Sequence, residues 1–184
     1  MIKLFFYFLP FLSLFLPSIW VNYVLRKNNN PLPDMPFNGK ELGHKILQEN
    51  KLDNVLIEPI KQIDHYNPLE KKVNISEDKL YKKSITSIAV VAHEIGHAIQ
   101  DKENYKPLLL RQKLIDKTII FQRLGSFLLI IGLPSIFAIT KNPYITFLAA
   151  IIIMGCLSTN VLIHLITLPV EFDASFKRAL PILQ

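Results

Sequence analysis

Ser84-Ile85-Thr86-Ser87-Ile88-Ala89-Val90-Val91-Ala92-His93-Glu94-Ile95-Gly96-His97-Ala98-Ile99-Gln100 is the stretch on which the reading of this chain depends. Ser84 suits the N-cap of a helix, and Ile85 to Gln100 holds no proline and only Gly96 as a weak helix former. Positions four apart share one helix face, so the imidazoles of His93 and His97 can reach one tetrahedral metal ion. Glu94 follows the first of them, where its carboxylate can take a proton from metal-bound water. The chemistry implied is zinc-assisted hydrolysis, most often of a peptide bond, with His93 and His97 as metal ligands and Glu94 as the catalytic base. Gly96 is expected to leave room beside the metal for a substrate backbone.

Such a site needs a third protein ligand and one open position. The metzincin extension would demand glycine at position 100 and histidine at 103, where this chain has Gln100 and Glu103. Glu103 lies six residues past His97, roughly 240° around the helix, and cannot join the same metal. The next glutamate is Glu171, 171 − 97 = 74 residues on, within Leu168-Pro169-Val170-Glu171-Phe172-Asp173-Ala174-Ser175. Pro169 suits the first turn of a new helix, which would set Glu171 near its N-terminus. His164, close to Ser158, Thr159 and Asn160, is the runner-up ligand, although hydrogen bonding inside a helix bundle is the role expected of it.

Half of the 184 residues are hydrophobic, unevenly spread. Three segments reach the roughly 20 apolar residues that a bilayer crossing takes. They are Leu4 to Leu25, about Ile119 to Thr140 with a kink expected at Gly132-Leu133-Pro134, and about Pro143 to Leu168. The first ends in Trp20, Tyr23, Arg26 and Lys27 and has no A-x-A-like cleavage site, so it reads as a retained anchor. The expected organisation is an N-terminal transmembrane anchor over 1–27, a soluble metallopeptidase segment over 28–117 and two transmembrane helices over 118–168. A helix over 169–184 would carry the third ligand. Two crossings between His97 and Glu171 return both to one side of the membrane. The fold class expected is a mostly α integral membrane protein whose small α+β, zincin-like segment carries the HExxH helix.

Within 28–117, Asn28-Asn29-Asn30-Pro31-Leu32-Pro33-Asp34 reads as a linker leaving the membrane. Gly39 to Leu52 places Leu42, Ile46 and Leu47 at helical spacing. Val55-Leu56-Ile57-Glu58 and Lys71-Lys72-Val73-Asn74-Ile75 read as short strands on either side of a turn at Asn67-Pro68. The strand ending near Asn74-Ile75 is expected to offer an edge to an extended substrate. A net charge of +6 could indicate nucleic acid, but the basic residues are interleaved with acids and form no aromatic-studded patch. The lone Cys156 forms no intramolecular disulfide and reads as a packing residue. His44 and His65 read as surface or hydrogen-bonding residues.

Asp64-His65-Tyr66-Asn67-Pro68, the helix ending His93-Glu-Ile-Gly-His97-Ala98-Ile99-Gln100, and the block Leu168 to Ser175 together resemble the YugP-type neutral zinc metallopeptidases of bacterial membranes. That resemblance covers most of the chain. It implies a membrane-embedded zinc peptidase with His93, His97 and Glu171 as Zn2+ ligands and Glu94 as base. The layout is also similar to HtpX-type membrane proteases, gluzincins whose third ligand is a Glu beyond two spans. Those carry an acid four residues after the ligand Glu, where this chain has Ser175, with Asp173 offset by two. Members of the resembled family usually continue with a further hydrophobic segment, so a chain ending at Gln184 reads as a short or truncated member, or a fragment.

The function expected is therefore hydrolysis of peptide bonds in membrane or membrane-associated proteins by a zinc-activated water, Arg178 being a candidate donor to the oxyanion. The partners expected are a peptide or protein substrate and the lipid bilayer, with no nucleic acid. The alternative is a catalytically silent zinc-binding membrane scaffold or chaperone-like protein. Arg26, Lys27, Arg111, Lys113, Lys117 and Arg123 flank the polar segment, and Lys177 and Arg178 follow the last span. Only Lys3 and Lys141 stand on the other side. The positive-inside tendency thus predicts a multi-pass protein of the cell membrane with its catalytic segment in the cytoplasm.

Overall fold

A computed structural model describes residues 16–184, without the side chains of Asp116, Asn160 and Leu162. The chain divides into two compact units, Met1–Ile99 with Ala174–Gln184, and Gln100–Asp173.

In the first unit, a helix over 16–27 (α1) leads into α2 (Gly39–Glu49), then β1 (Leu56–Ile60), β2 (His65–Asn67), β3 (Lys72–Ser76), α3 (Glu77–Leu80) and α4 (Ile85–Lys102), whose last turn lies in the second unit. Asn38 and Glu41 form a reciprocal capping box at the start of α2, each side chain accepting the other's backbone N–H at 2.9 Å. Ser84 caps α4 as its sequence predicts, accepting from Ser87 N–H at 3.1 Å. Its hydroxyl also donates to Asn29, and Thr86 donates to the Leu25 carbonyl. The Asn-rich segment is thus tied to the start of α4 rather than running free as a linker.

The sheet has the order β1-β3-β2, with β1 parallel and β2 antiparallel to β3. This corrects the expected edge: β3 is paired on both sides, and β2, a strand absent from the sequence reading, forms one border. Pro59 sits in β1, the other border, where a missing N–H is tolerated. The turn at Asn67-Pro68 is present, closed by the Asn67 side chain accepting from Leu69 and Glu70 N–H. Ile46, Leu47, Ile57, Val73, Ile75 and Ile95 head the buried core, so α2 and α4 share one apolar interior with the sheet. Gly43 permits the approach, since a Cβ there would lie 2.5 Å from Ile57 Cδ1 and 3.0 Å from Val91 Cγ1.

The second unit comprises α5 (Lys106–Phe127), a π-helical turn (Leu128–Gly132), α6 (Leu133–Thr140) and α7 (Pro143–Phe172). Where a kink is expected before Pro134, hydrogen bonding shifts to the wider π pattern, because proline supplies no N–H to the ladder. A Cβ at Gly125 would lie 3.0 Å from Cys156 Cβ, so α5 and α7 meet through small side chains. Asn142 caps α7, accepting from Tyr144 N–H at 2.9 Å. Pro169 does not open a new helix as expected; it lies inside α7, and the continuous helical run extends to Ile182.

Two helical runs, Lys106–Thr140 and Pro143–Ile182, are long and apolar enough to cross a bilayer, so among the described residues there are two such helices and not three. Most of the expected first span, Leu4 to Leu25, lies outside the described residues. Only 6% of each apolar window is buried, which distinguishes both from the core helices of a water-soluble fold.

One polar anchor fixes the approach to β2. Asp64 accepts from Ser76 N–H at 2.7 Å and pairs with Lys79. Burial raises the Asp64 pKa, but the Lys79 hydrogen bond and the Ser76 donors outweigh it, leaving the carboxyl below its ordinary value of 3.8. A depressed folded pKa contributes stability above 3.8 that is lost as pH falls through the lowered value. Asp64→Asn should therefore lower the thermal midpoint at pH 7, with the gap to wild type closing as pH falls through the lowered pKa and the wild-type carboxyl protonates. Melting curves from pH 2.5 to 7 check this.

Candidate metal centre

α4 carries the candidate site because its inner face is buried and its sequence puts polar donors on that face. His93 is half-buried, while Glu94 and His97 are 8% and 6% exposed. The two imidazoles stand edge to face, ring centroids 4.8 Å apart. Glu94 Oε2 accepts the backbone N–H of Tyr66 at 2.9 Å. Because β2 pairs with β3 through its other face, its border N–H is turned toward the helix carrying Glu94.

Residues 174–175 belong to the same unit and lie against α4. An added Cβ at Gly96 would be 2.8 Å from the Ala174 carbonyl oxygen. The space that glycine leaves is therefore filled by the chain's own backbone, where a substrate backbone was expected. Ser175 Oγ is 3.0 Å from His93 Nδ1. Ser175 thus occupies the position four residues past Glu171 at which HtpX-type proteins carry an acid. A hydrogen bond at Nδ1 leaves Nε2 as the ring atom able to bind a metal.

Within the second unit, Gln100 is fully buried and donates from Nε2 to the Val170 carbonyl at 2.9 Å and to Asp173 Oδ2 at 2.8 Å. Asp173 is therefore engaged by a glutamine amide one helical turn beyond His97. Glu171 pairs with Arg111 Nη1 at 2.6 Å. Neither Gln100 nor Arg111 had a site role in the sequence reading; the position of Gln100, three residues past His97, was the available signal for it.

His93 and His97 each offer an imidazole nitrogen from α4, and Glu171 near the end of α7 offers a carboxylate oxygen. Two imidazole nitrogens and one carboxylate oxygen suit zinc and leave a fourth position open, so these residues fit that metal. His164 is exposed on α7 and contributes no ligand to this group. His44 is exposed on α2, and His65 is exposed on β2 with its ring 2.8 Å from the Ile63 carbonyl and 3.2 Å from Asn74 Nδ2. Arg178 is half-buried in the π-helical turn Asp173–Ala179.

Gly96→Ala should destabilise the protein by about 1–3 kcal/mol, the range for forcing a methyl into a filled interior. Ala98→Gly, which removes a buried methyl from the same helix, should cost about 1 kcal/mol through helix propensity and about 1 kcal/mol more through lost burial. Chemical denaturation of the two variants separates these causes.

A family model described as "Putative neutral zinc metallopeptidase" matches residues 3–184. The chain is also 31% identical over 168 residues to the "Putative membrane protease YugP" of Bacillus subtilis (strain 168), covering 86% of this chain and 69% of that protein. No solved structure matches. With the two apolar helices, this relative's name points to membrane association. Across nearly its whole length, then, the chain belongs to the neutral zinc metallopeptidase family whose description implies zinc as the metal.

Proposed function

We propose that the protein is a membrane-embedded, multi-pass zinc metallopeptidase that hydrolyses peptide bonds of membrane or membrane-associated proteins. In this reading His93, His97 and Glu171 hold the zinc and Glu94 is the general base. The observation that carries it is the donor set: three ligand residues with a glutamate, Glu94, next to the first of them. A structural zinc site is closed by four protein ligands and has no use for a base there.

Chain connectivity supports Glu171 as the distant ligand. Ala174 and Ser175 lie on α4 beside Gly96 and His93, and Glu171 precedes them by three and four residues, about one helical turn. Bound zinc would supply Lewis acidity, activating a water and polarising the scissile carbonyl. Glu94 accepts the proton of the attacking water and returns it to the leaving amine. The Tyr66 N–H holds the Glu94 carboxylate in place while the site is empty of substrate. Ser175 orients the His93 ring from outside. The distribution of basic residues supports a cytoplasmic side for this chemistry.

The test uses the full chain purified in detergent, with a mixed peptide pool and a panel of membrane proteins as substrates. Glu94→Gln should bind zinc as wild type does and lose cleavage by a factor of about 10²–10⁴, the usual contribution of a general base. A wild-type protein that holds zinc yet cleaves nothing in the panel would favour the scaffold.

A further inference from the structure

Arg111 entered the sequence reading only as a charge flanking an apolar helix, yet its side chain reaches the carboxylate of the distant glutamate. It lies in the second turn of α5, Glu171 is the penultimate residue of α7, and both belong to one unit. Arg111 Nη1 and Glu171 Oε1 are 2.6 Å apart, a short charge-assisted contact, with side chains 29% and 36% exposed. A pair so open to solvent contributes little to stability, which argues against a purely structural purpose. A carboxylate has two oxygens, and a guanidinium on one of them leaves the other to donate.

We propose that Arg111 is a positioning residue for the metal, holding one carboxylate oxygen of Glu171 so that the other serves as a single-atom ligand. This rests on the reading of His93, His97 and Glu171 as the ligand set. A guanidinium also keeps the carboxylate compensated before zinc arrives, so the side chain waits in its ligating orientation rather than rotating toward solvent. Outer groups that orient ligands in this way typically change metal affinity by about 10–100-fold when removed.

The experiment measures zinc affinity of the purified full chain by competition with a chelating indicator, for wild type, Arg111→Ala, Arg111→Lys and Glu171→Ala. Visible spectra of the cobalt(II)-substituted proteins report coordination number. Arg111→Ala should weaken zinc about 10–100-fold. Arg111→Lys should fall between it and wild type, restoring the charge but not the planar geometry. The zinc-free thermal midpoint should stay where it is in wild type, and the cobalt spectrum of Arg111→Ala should weaken as the released carboxylate binds through both oxygens. Wild-type or tighter zinc affinity in Arg111→Ala, with an unchanged cobalt spectrum, would overturn the proposal while leaving Glu171 as a ligand. Wild-type affinity in Glu171→Ala would instead overturn the ligand set, and the proposal with it. If Arg111→Ala yields no folded protein, Arg111→Lys decides: full wild-type affinity overturns the proposal and weaker binding supports it.

Discussion

The missing side chain at Gly96 is the constraint on which the rest of the site depends. A helix normally keeps its neighbours at the distance its Cβ atoms impose, but here the Ala174 carbonyl comes within 2.8 Å of where that atom would be. Such an approach brings backbone, rather than a long side chain, onto the helix between His93 and His97. Ser175 then falls beside His93.

Around that contact the polar groups divide their work. Gln100 is buried and bonds both the Val170 carbonyl and the Asp173 carboxylate, on either side of Glu171 in the sequence. It supplies a donor to the Val170 carbonyl, where the following π-helical turn interrupts the regular ladder of α7. Asp173 is therefore occupied, and the partner of His93 is a neutral hydroxyl. A carboxylate at that position would make the imidazole a stronger base and donor; a serine orients the ring without adding charge.

Much of this was legible in the sequence because its determinants are local. The helix from Ile85, its Ser84 cap and the amphipathic helix from Gly39 depend on neighbours within four residues, and each formed where its residues indicate. The strands around Ile57 and Val73 also announce themselves through apolar alternation. What escaped depends on pairing across the chain. β2 has three residues and no periodicity of its own, and it exists because Tyr66 and Asn67 find partners on β3. Its presence turned the expected edge into a central strand. Pro169 carried a genuine helix-start signal, but α7 tolerates it in its interior because the packing on either side keeps the run continuous. Gly96 was read as an opening since sequence shows the absence of a side chain and not what fills it. Arg111 looked like a charge at a membrane border, and only the fold connects it to Glu171.

The central claim is that one zinc ion is held by two imidazoles and one carboxylate with a position left open. X-ray absorption at the zinc edge of the purified full chain measures that directly. The account predicts a four-coordinate shell of nitrogen and oxygen at about 2.0–2.1 Å, with outer scattering from two imidazole rings and no sulfur contribution. A shell requiring three or more imidazoles, or a sulfur ligand from Cys156 or a methionine, would contradict it.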